Sequence, residues 1–515
     1  MKKEILVGID LGTTTLKAVF INAATFKFVT VQVEEIFPLK TENPDWLEYD
    51  PKDWFEGTKR LLRRGFDAGV DPDNIGGICF TGWTVMALFA DENGVPVTNA
   101  IHYNDMRHVP DLEELQTLTG EDCVRKNGNY IGMYNGLAKH YWWKKHRPDI
   151  LAKADCVHTE ASWMIRQLTG KNAWNRTEAG FYGQYNAHTR EWDDEIIRTT
   201  GFSRSLFPRL YDAWEIVGEV TGEAAMLTGF AAGTPVVAGA DDSSTSALIT
   251  GAIKVGQSNL SGGSASNIAA VTTKPVSHPT ILTFPHCIPG MTAAITVMSS
   301  TALSNKWARN ALCQAETAVA SITGSDPYDY MNDAAQTAPP GANGLIFLPY
   351  LDGDFTPNND PNARGCLIGM DAKTTKADIL RAVLEGMAFS ILDNINLIRE
   401  VGVRMEEIFA TGGMTKSRTW MQIISDVTGC SISLPEETEG TPFGGALIAG
   451  LGTGLISSFD EAISKMVKVQ YNAFTPNPEC NKLYQDLFQV YKALYPSLKG
   501  MYTKLQSFRE TYCQN

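Results

Sequence analysis

Near its start the chain has a short apolar run. Ile5, Leu6, Val7 and Ile9 read as a strand that ends in the carboxylate Asp10, and Leu16 to Phe20 reads as a second strand. Gly12-Thr13-Thr14-Thr15 between them is a small-residue turn, so the pattern predicts a hairpin. The pattern returns about halfway along the chain. In Gln257 to Val271, strand-like runs flank the turn Ser261-Gly262-Gly263-Ser264. A hairpin of this kind at the head of each half predicts two related domains, 1–252 and 253–515.

Between the hairpins, Asn43 to Trp54 reads as a Pro-broken loop entering a helix over Asp53 to Ala68. Ile75 to Asp91 reads as strand, turn, strand, and Ile101 to His108 as a polar cluster after an apolar strand. Tyr130 to Trp143 leads into a helix, and Glu160 to Thr169 is a helix burying Trp163, Ile165 and Leu168. Val236, Val237 and Ala238 form a buried strand that delivers Asp241 and Asp242 to a helix starting at Ser243. The second half predicts a strand at Leu345 to Pro349, then a polar loop from Asp352 to Arg364. A helix follows over Lys376 to Arg399, with Ile379, Leu380, Val383, Met387 and Ile391 at helical spacing. A strand then ends in Gly412-Gly413 before a helix near Ser417, and an amphipathic helix over Phe474 to Tyr502 closes the chain. Strands interleaved with helices define an α/β protein.

Composition narrows the class. At 515 residues the chain is long for one core, and 43% hydrophobic with 20% charged residues describes a globular protein. A formal net charge of −14 argues against a nucleic-acid or anionic-membrane partner. The nine cysteines are scattered without a CxxC pair, which fits a reducing cytoplasm, and the eight histidines show no metal-ligand spacing. The opening MKKEILVGID is cut by Gly8 and Asp10, so no signal peptide is expected. Gly440 to Ser458 is uncharged but rich in Gly and Thr, so no transmembrane helix is expected either. A homodimer stays open.

The turns carry chemistry. Backbone N–H groups at a glycine turn, with threonine hydroxyls beside them, form a nest for phosphate oxygens. Asp10 stands where a carboxylate could hold hydrated Mg²⁺. An ordinary hairpin with a polar turn would account for the first stretch taken alone. Strand, carboxylate and helix N-terminus at Asp241-Asp242 suit a general base facing a phosphate, one aspartate capping the helix and the other acting. Paired glycines at Gly412-Gly413 suit close approach of an adenine ring or an α-phosphate, and no GxxxxGK[ST] loop is present. Asp105 and Arg107, beside Tyr103 and Asn104, read as a ligand-facing strand end or as a salt bridge. These are the parts that transfer of a γ-phosphoryl group to an alcohol requires.

With these residues in place, the chain resembles the FGGY carbohydrate kinases through almost its whole length. The family's W-x-E-x-D-P-x-x-W segment matches Trp46, Glu48, Asp50, Pro51 and Trp54, and its W-x-D-x-R sugar segment matches Asp105 and Arg107. The R-G-x-x-x-G and R-A-x-L-E-G signature is present as Arg364, Gly365, Gly369, Arg381, Ala382, Leu384, Glu385 and Gly386. The nucleotide segment G-G-x-x-K-S is kept as Gly412, Gly413, Lys416 and Ser417.

The resemblance implies two actin/Hsp70-type (ribonuclease H-like) ATPase domains flanking a central cleft, with the Lys376–Arg399 helix between them. It implies ATP and Mg²⁺ as cofactors and a small sugar or polyol as substrate. The base falls on Asp242 and the metal on Asp10. ATP contacts fall on Thr13, Thr14, Thr15, Lys17, Gly263, Ser264, Gly412, Gly413 and Ser417. Substrate contacts fall on Trp83, Thr84, Val85, Tyr103, Asn104, Asp105, Arg107, Asp242 and Ser243. Tyr134 matches a substrate-contacting tyrosine of the related glycerol kinases.

One segment departs from the pattern. Xylulose kinases carry S-G-Q-M-H-G where this chain has Thr81-Gly82-Trp83-Thr84-Val85-Met86, so a glutamine and a histidine are replaced. The glycerol-kinase version, an adjacent Arg and Glu, is absent. D-xylulose leads as the expected substrate, with ribulose, gluconate or a less polar polyol open. A sugar sensor or an ATPase of the same fold is the alternative class.

Overall fold

The computed structural model describes residues 3–39, 41, 43, 46–262, 266–436 and 439–512. The chain forms two compact units. The first comprises Met1–Ile253, Thr273–Ala293 and Glu437–Lys468, the second Lys254–Thr272, Ala294–Glu436 and Val469–Asn515. In this division two later segments, Thr273–Ala293 and Glu437–Lys468, pack with the first unit.

The first unit is built on a mixed sheet ordered Ile216–Glu219, Pro235–Val237, Ile75–Gly82, Ile5–Leu11, Thr15–Asn22, Lys27–Glu35. The opening hairpin forms as predicted. Leu11 pairs with Leu16 and Asp10 with Lys17, and the Gly12 N–H donates to the Thr15 carbonyl at 3.0 Å. Ile5–Leu11 runs parallel to Ile75–Gly82, pairing Asp10 with Thr81. The short strand Ala240–Asp241 runs parallel on the other side, pairing Asp241 with Gly82. Three parallel strands thus end side by side, the usual place for a ligand in such a sheet.

Ile5–Leu11 is buried almost throughout, as a central strand covered on both faces should be. Trp54, Leu61 and Leu62 of the helix Pro51–Asp67 cover one face together with the helix Glu160–Thr169. The other face is covered by the helix Thr441–Thr453, drawn from near the end of the chain. The uncharged region around Gly440 is this buried helix, and no helix among the described residues is long and apolar enough to cross a membrane. It lies so close to the sheet that a Cβ on Gly8 would stand 1.8 Å from the Pro442 carbonyl oxygen. Gly8→Ala is therefore expected to destabilise the fold by about 1–3 kcal/mol, the range for overpacking a tight interior. Thermal or urea unfolding reads this, and an unchanged midpoint would refute so close a contact.

The second unit repeats the motif. Gly256–Gly262 pairs antiparallel with Ser266–Thr272 and parallel with Met405–Gly412. Gly412 takes φ +85°, and a Cβ there would stand 2.5 Å from the Gly262 carbonyl oxygen, so strand packing already requires glycine. The helix Lys376–Glu400 opens on a Thr375/Asp378 capping box and packs among elements of the second unit. Its motif residues form a buried network. Arg381 donates to Glu385 at 2.7 Å and to the Tyr484 hydroxyl at 3.0 Å, and Tyr484 donates to Glu385 at 2.7 Å. The closing helix starts at Pro478 rather than Phe474. Val469–Phe474 is a strand, and the Asn477 side chain takes N–H bonds from Glu479 and Cys480 to start the helix.

Candidate active site

At the end of its strand, the Asp10 carboxylate accepts a hydrogen bond from the Thr81 hydroxyl at 2.9 Å. Burial raises its pKa, opposed by hydrogen bonds from Thr441 and Thr81 and by the charge of Lys17. Lys17 itself is tied to Glu439, donating to the carbonyl at 2.7 Å and to the carboxylate at 2.9 Å. Among the described residues, the hydroxyls of Thr13, Thr14 and Thr15 make no hydrogen bond, and Thr14 is exposed. The turn is held from behind, where the Tyr49 hydroxyl donates to the Thr13 carbonyl at 2.6 Å.

The two aspartates divide their work. Asp241 is the N-cap of the helix Asp242–Ile249, accepting from the Ser244 N–H at 2.9 Å. Asp242 is the first helical residue, half-buried, and among the described residues its carboxylate is met by Ser243, whose hydroxyl lies at 3.2 Å. Burial, then the like charges of Asp241 and Asp10, push Asp242 up to about 7. Asp241 rises to about 6 through burial, moderated by its capping bond.

Two acids that sequence reasoning missed stand behind these. Glu160 is fully buried, and among the described residues neither carboxyl oxygen has a partner. A Cβ on Gly82 would lie 2.2 Å from its Oε1, so the glycine makes room for the carboxyl. Glu178 is fully buried and accepts from the Thr159 hydroxyl at 2.7 Å. Burial raises both pKa values; the charges of Glu178, Asp242 and Asp10 raise Glu160 further, and those of Asp241 and Asp242 raise Glu178 further. Nothing local distinguishes Glu160 in sequence, since an acid in the first turn is ordinary helix chemistry.

A carboxyl whose folded pKa lies above its ordinary 4.5 holds a proton that unfolding releases. Its contribution is complete below that value and lost as pH rises towards the folded pKa. Glu160→Gln, neutral at every pH, should therefore melt progressively higher than wild type as pH rises from 5 to 8.5. A difference that stays flat or shrinks would place an ionised Glu160 in the fold.

The departing segment leaves the same sheet end. Val85 adopts φ +64°, a left-handed conformation rare for a β-branched residue. Tyr182, fully buried, holds the turn. Its hydroxyl accepts from the Met86 N–H and donates to the Met86 carbonyl, both at 3.1 Å. Trp83 and Thr84 are buried, and the Trp83 ring lies 4.8 Å from His102 and 6.0 Å from Tyr103. The structure thereby joins the Trp83–Val85 turn to the Tyr103–Arg107 segment.

Asp105 and Arg107 face each other in that segment. Arg107 donates to both Asp105 oxygens at 2.9 and 2.7 Å, pairs with Glu48 at 2.8 Å and lies 3.9 Å from the centre of the Trp46 ring. Burial opposes ionisation of Asp105, but hydrogen bonds from Arg107 and the Leu47 N–H hold it below the usual carboxylate range. The two side chains form a buried ion pair. Lys139, also missed, is fully buried and donates to the Asp105 carbonyl at 2.7 Å. Asn104 is exposed, as is Tyr134, at 57%.

In the second unit Gly413 has open space where a Cβ would stand. Ser417 caps the helix Arg418–Thr428, accepting from the Trp420 N–H and donating to Asn332 at 2.9 Å. The expected phosphate contacts Gly263 and Ser264 lie outside the described residues.

The repeated hairpin-and-parallel-strand units, with carboxylates gathered at one sheet end, define a sugar-kinase fold of the actin/Hsp70-like kind. Residues 5–249 match the N-terminal domain and 252–453 the C-terminal domain of the FGGY family of carbohydrate kinases, and the chain belongs to that family. A xylulose kinase of Staphylococcus epidermidis is 30% identical over 504 residues, 97% of this chain and 98% of that one. An autoinducer-2 kinase of Escherichia coli is 28% identical over 510 residues, 97% of this chain and 95% of its own. The crystal structure of a xylulose kinase from Rhodospirillum rubrum superposes with a TM-score of 0.88 at 26% identity, covering 97% of this chain and all of that one.

Proposed function

We propose that this kinase transfers the γ-phosphoryl group of ATP to a hydroxyl of a ketopentose such as D-xylulose, with Asp242 as general base. The observation that carries the reading is the division between the two aspartates. Asp241 caps the helix, which leaves the Asp242 carboxylate at the helix N-terminus with Ser243 as its hydrogen-bond partner among the described residues. Asp242 would accept the acceptor hydroxyl's proton as that oxygen bonds to phosphorus, and a carboxyl titrating near 7 is suited to this at neutral pH. The helix N-terminus favours the negative charge that gathers there.

The residues fit the cofactors. The uncommitted hydroxyls of Thr13, Thr14 and Thr15 suit phosphate oxygens, with Gly412, Gly413 and Ser417 assigned to the nucleotide in the second unit. Asp10 suits Mg²⁺, an ion that keeps several waters and is held by one or two carboxylates plus phosphates. When bound, the metal would neutralise phosphate charge. Asp10 would orient it, and Thr81 would orient Asp10.

A second reading is favoured by the Trp83–Met86 turn. With tryptophan and valine in place of glutamine and histidine, a less polar acceptor becomes the alternative substrate. The relative named as an autoinducer-2 kinase supports including substrates beyond simple ketopentoses. A coupled assay for ADP release, run with ATP and a panel of ketoses, polyols and aldonates, separates the readings. Release stimulated by D-xylulose supports the first and release stimulated by a less polar member supports the second. Hydrolysis indifferent to every sugar, or sugar binding without turnover, would overturn both.

A further inference from the structure

His102 stands beside the turn that lost the family's histidine, and its ring is 3% exposed. Its Nδ1 accepts the Asn104 N–H at 3.1 Å. That bond requires an unprotonated Nδ1, so the neutral ring carries its hydrogen on Nε2. Burial, then the nearby charge of Lys139, lowers its pKa to about 4 and keeps the ring neutral at neutral pH. Among the described residues Nε2 has no partner, and neither does the indole Nε1 of Trp83, whose ring lies 4.8 Å away. Two buried N–H donors on neighbouring rings are thus left without an acceptor among the described residues, an arrangement that is costly unless something supplies one. Tyr103, half-buried, covers the His102 ring at 4.1 Å.

We propose that His102, together with Trp83, is a specificity-determining residue whose N–H donates to an oxygen of the acceptor sugar. This rests on the kinase reading above and on the assignment of Trp83 to the acceptor. It gives the site a histidine from the neighbouring segment where the family pattern has one at the position of Val85. Nitrogen donors of this kind discriminate strongly, because an analogue lacking the matching oxygen leaves them unpaired. No proton is transferred, since His102 acts as a neutral donor throughout.

The test uses the full chain, the best acceptor from the sugar panel and its monodeoxy analogues. Wild type should reject one monodeoxy analogue by about 10-fold or more in kcat/KM. His102→Leu should raise KM for the parent sugar, leave KM for ATP unchanged and lose that rejection, while His102→Gln, which keeps a donor, should recover part of it. A purely structural role would lower the melting temperature without changing which analogue is rejected. Retained rejection in His102→Leu overturns the proposal. A readout independent of turnover is the ¹⁵N-histidine spectrum, with His102→Leu supplying the assignment. The His102 resonance should report a neutral Nε2–H tautomer and move when the sugar is added. Absence of turnover on every panel member overturns the kinase reading, whereas a His102 resonance unmoved by every sugar overturns this inference.

Discussion

Asp242→Asn should lower turnover by about 100-fold or more, the usual size of a lost general base, and leave the fold intact. Asparagine keeps the side chain's size and can still accept from Ser243, so the melting temperature should hold. Only the capacity to take a proton is lost. In the wild type the active form is the carboxylate, so activity should fall as pH drops through about 7, where burial and the neighbouring Asp241 and Asp10 set the titration. The pH profile of kcat/KM and the turnover of the variant check the two halves of this expectation. Turnover within a few fold of wild type, or a profile flat through neutrality, would remove Asp242 from the role.

Asp10→Asn should raise the Mg²⁺ concentration for half-maximal activity by at least about 10-fold and reduce turnover at saturating metal, since changes even to groups supporting a metal ligand cost 10–100-fold. Thr81 can still donate to the amide oxygen, so the strand end should keep its geometry. Burial already disfavours the charge on Asp10, and its neutral replacement should not destabilise the fold. A magnesium titration of the coupled assay, with thermal melting alongside, separates loss of the metal from loss of structure. An unchanged titration would refute the metal role.

Much of the first unit was legible from local pattern. The Ile5–Leu11 hairpin could be read because alternation and turn chemistry lie within a few residues of each other. That one of the Asp241-Asp242 pair caps the helix could be read because capping is local as well. The Asp105–Arg107 segment was less decidable, since the same residues can face a ligand or each other. Here Trp46, Glu48 and Lys139 arrive from other elements and close the pair. Glu160 and Tyr182 escaped notice because an acid in a first helical turn and a tyrosine in a loop are ordinary until burial is known. His102 was visible as a letter, but its unpaired nitrogen was not.

By itself the sequence determined much of the succession of strands and helices and the kinase family, because these depend on residues close together along the chain or on motifs in a set order. The tertiary structure alone decided that Thr441–Thr453 covers the first sheet, that the Lys376–Glu400 helix belongs inside the second unit, and that five carboxyls share one neighbourhood. Those outcomes depend on which distant surfaces exclude water from each other, and a carboxyl's charge state follows from that burial rather than from its neighbours in the chain.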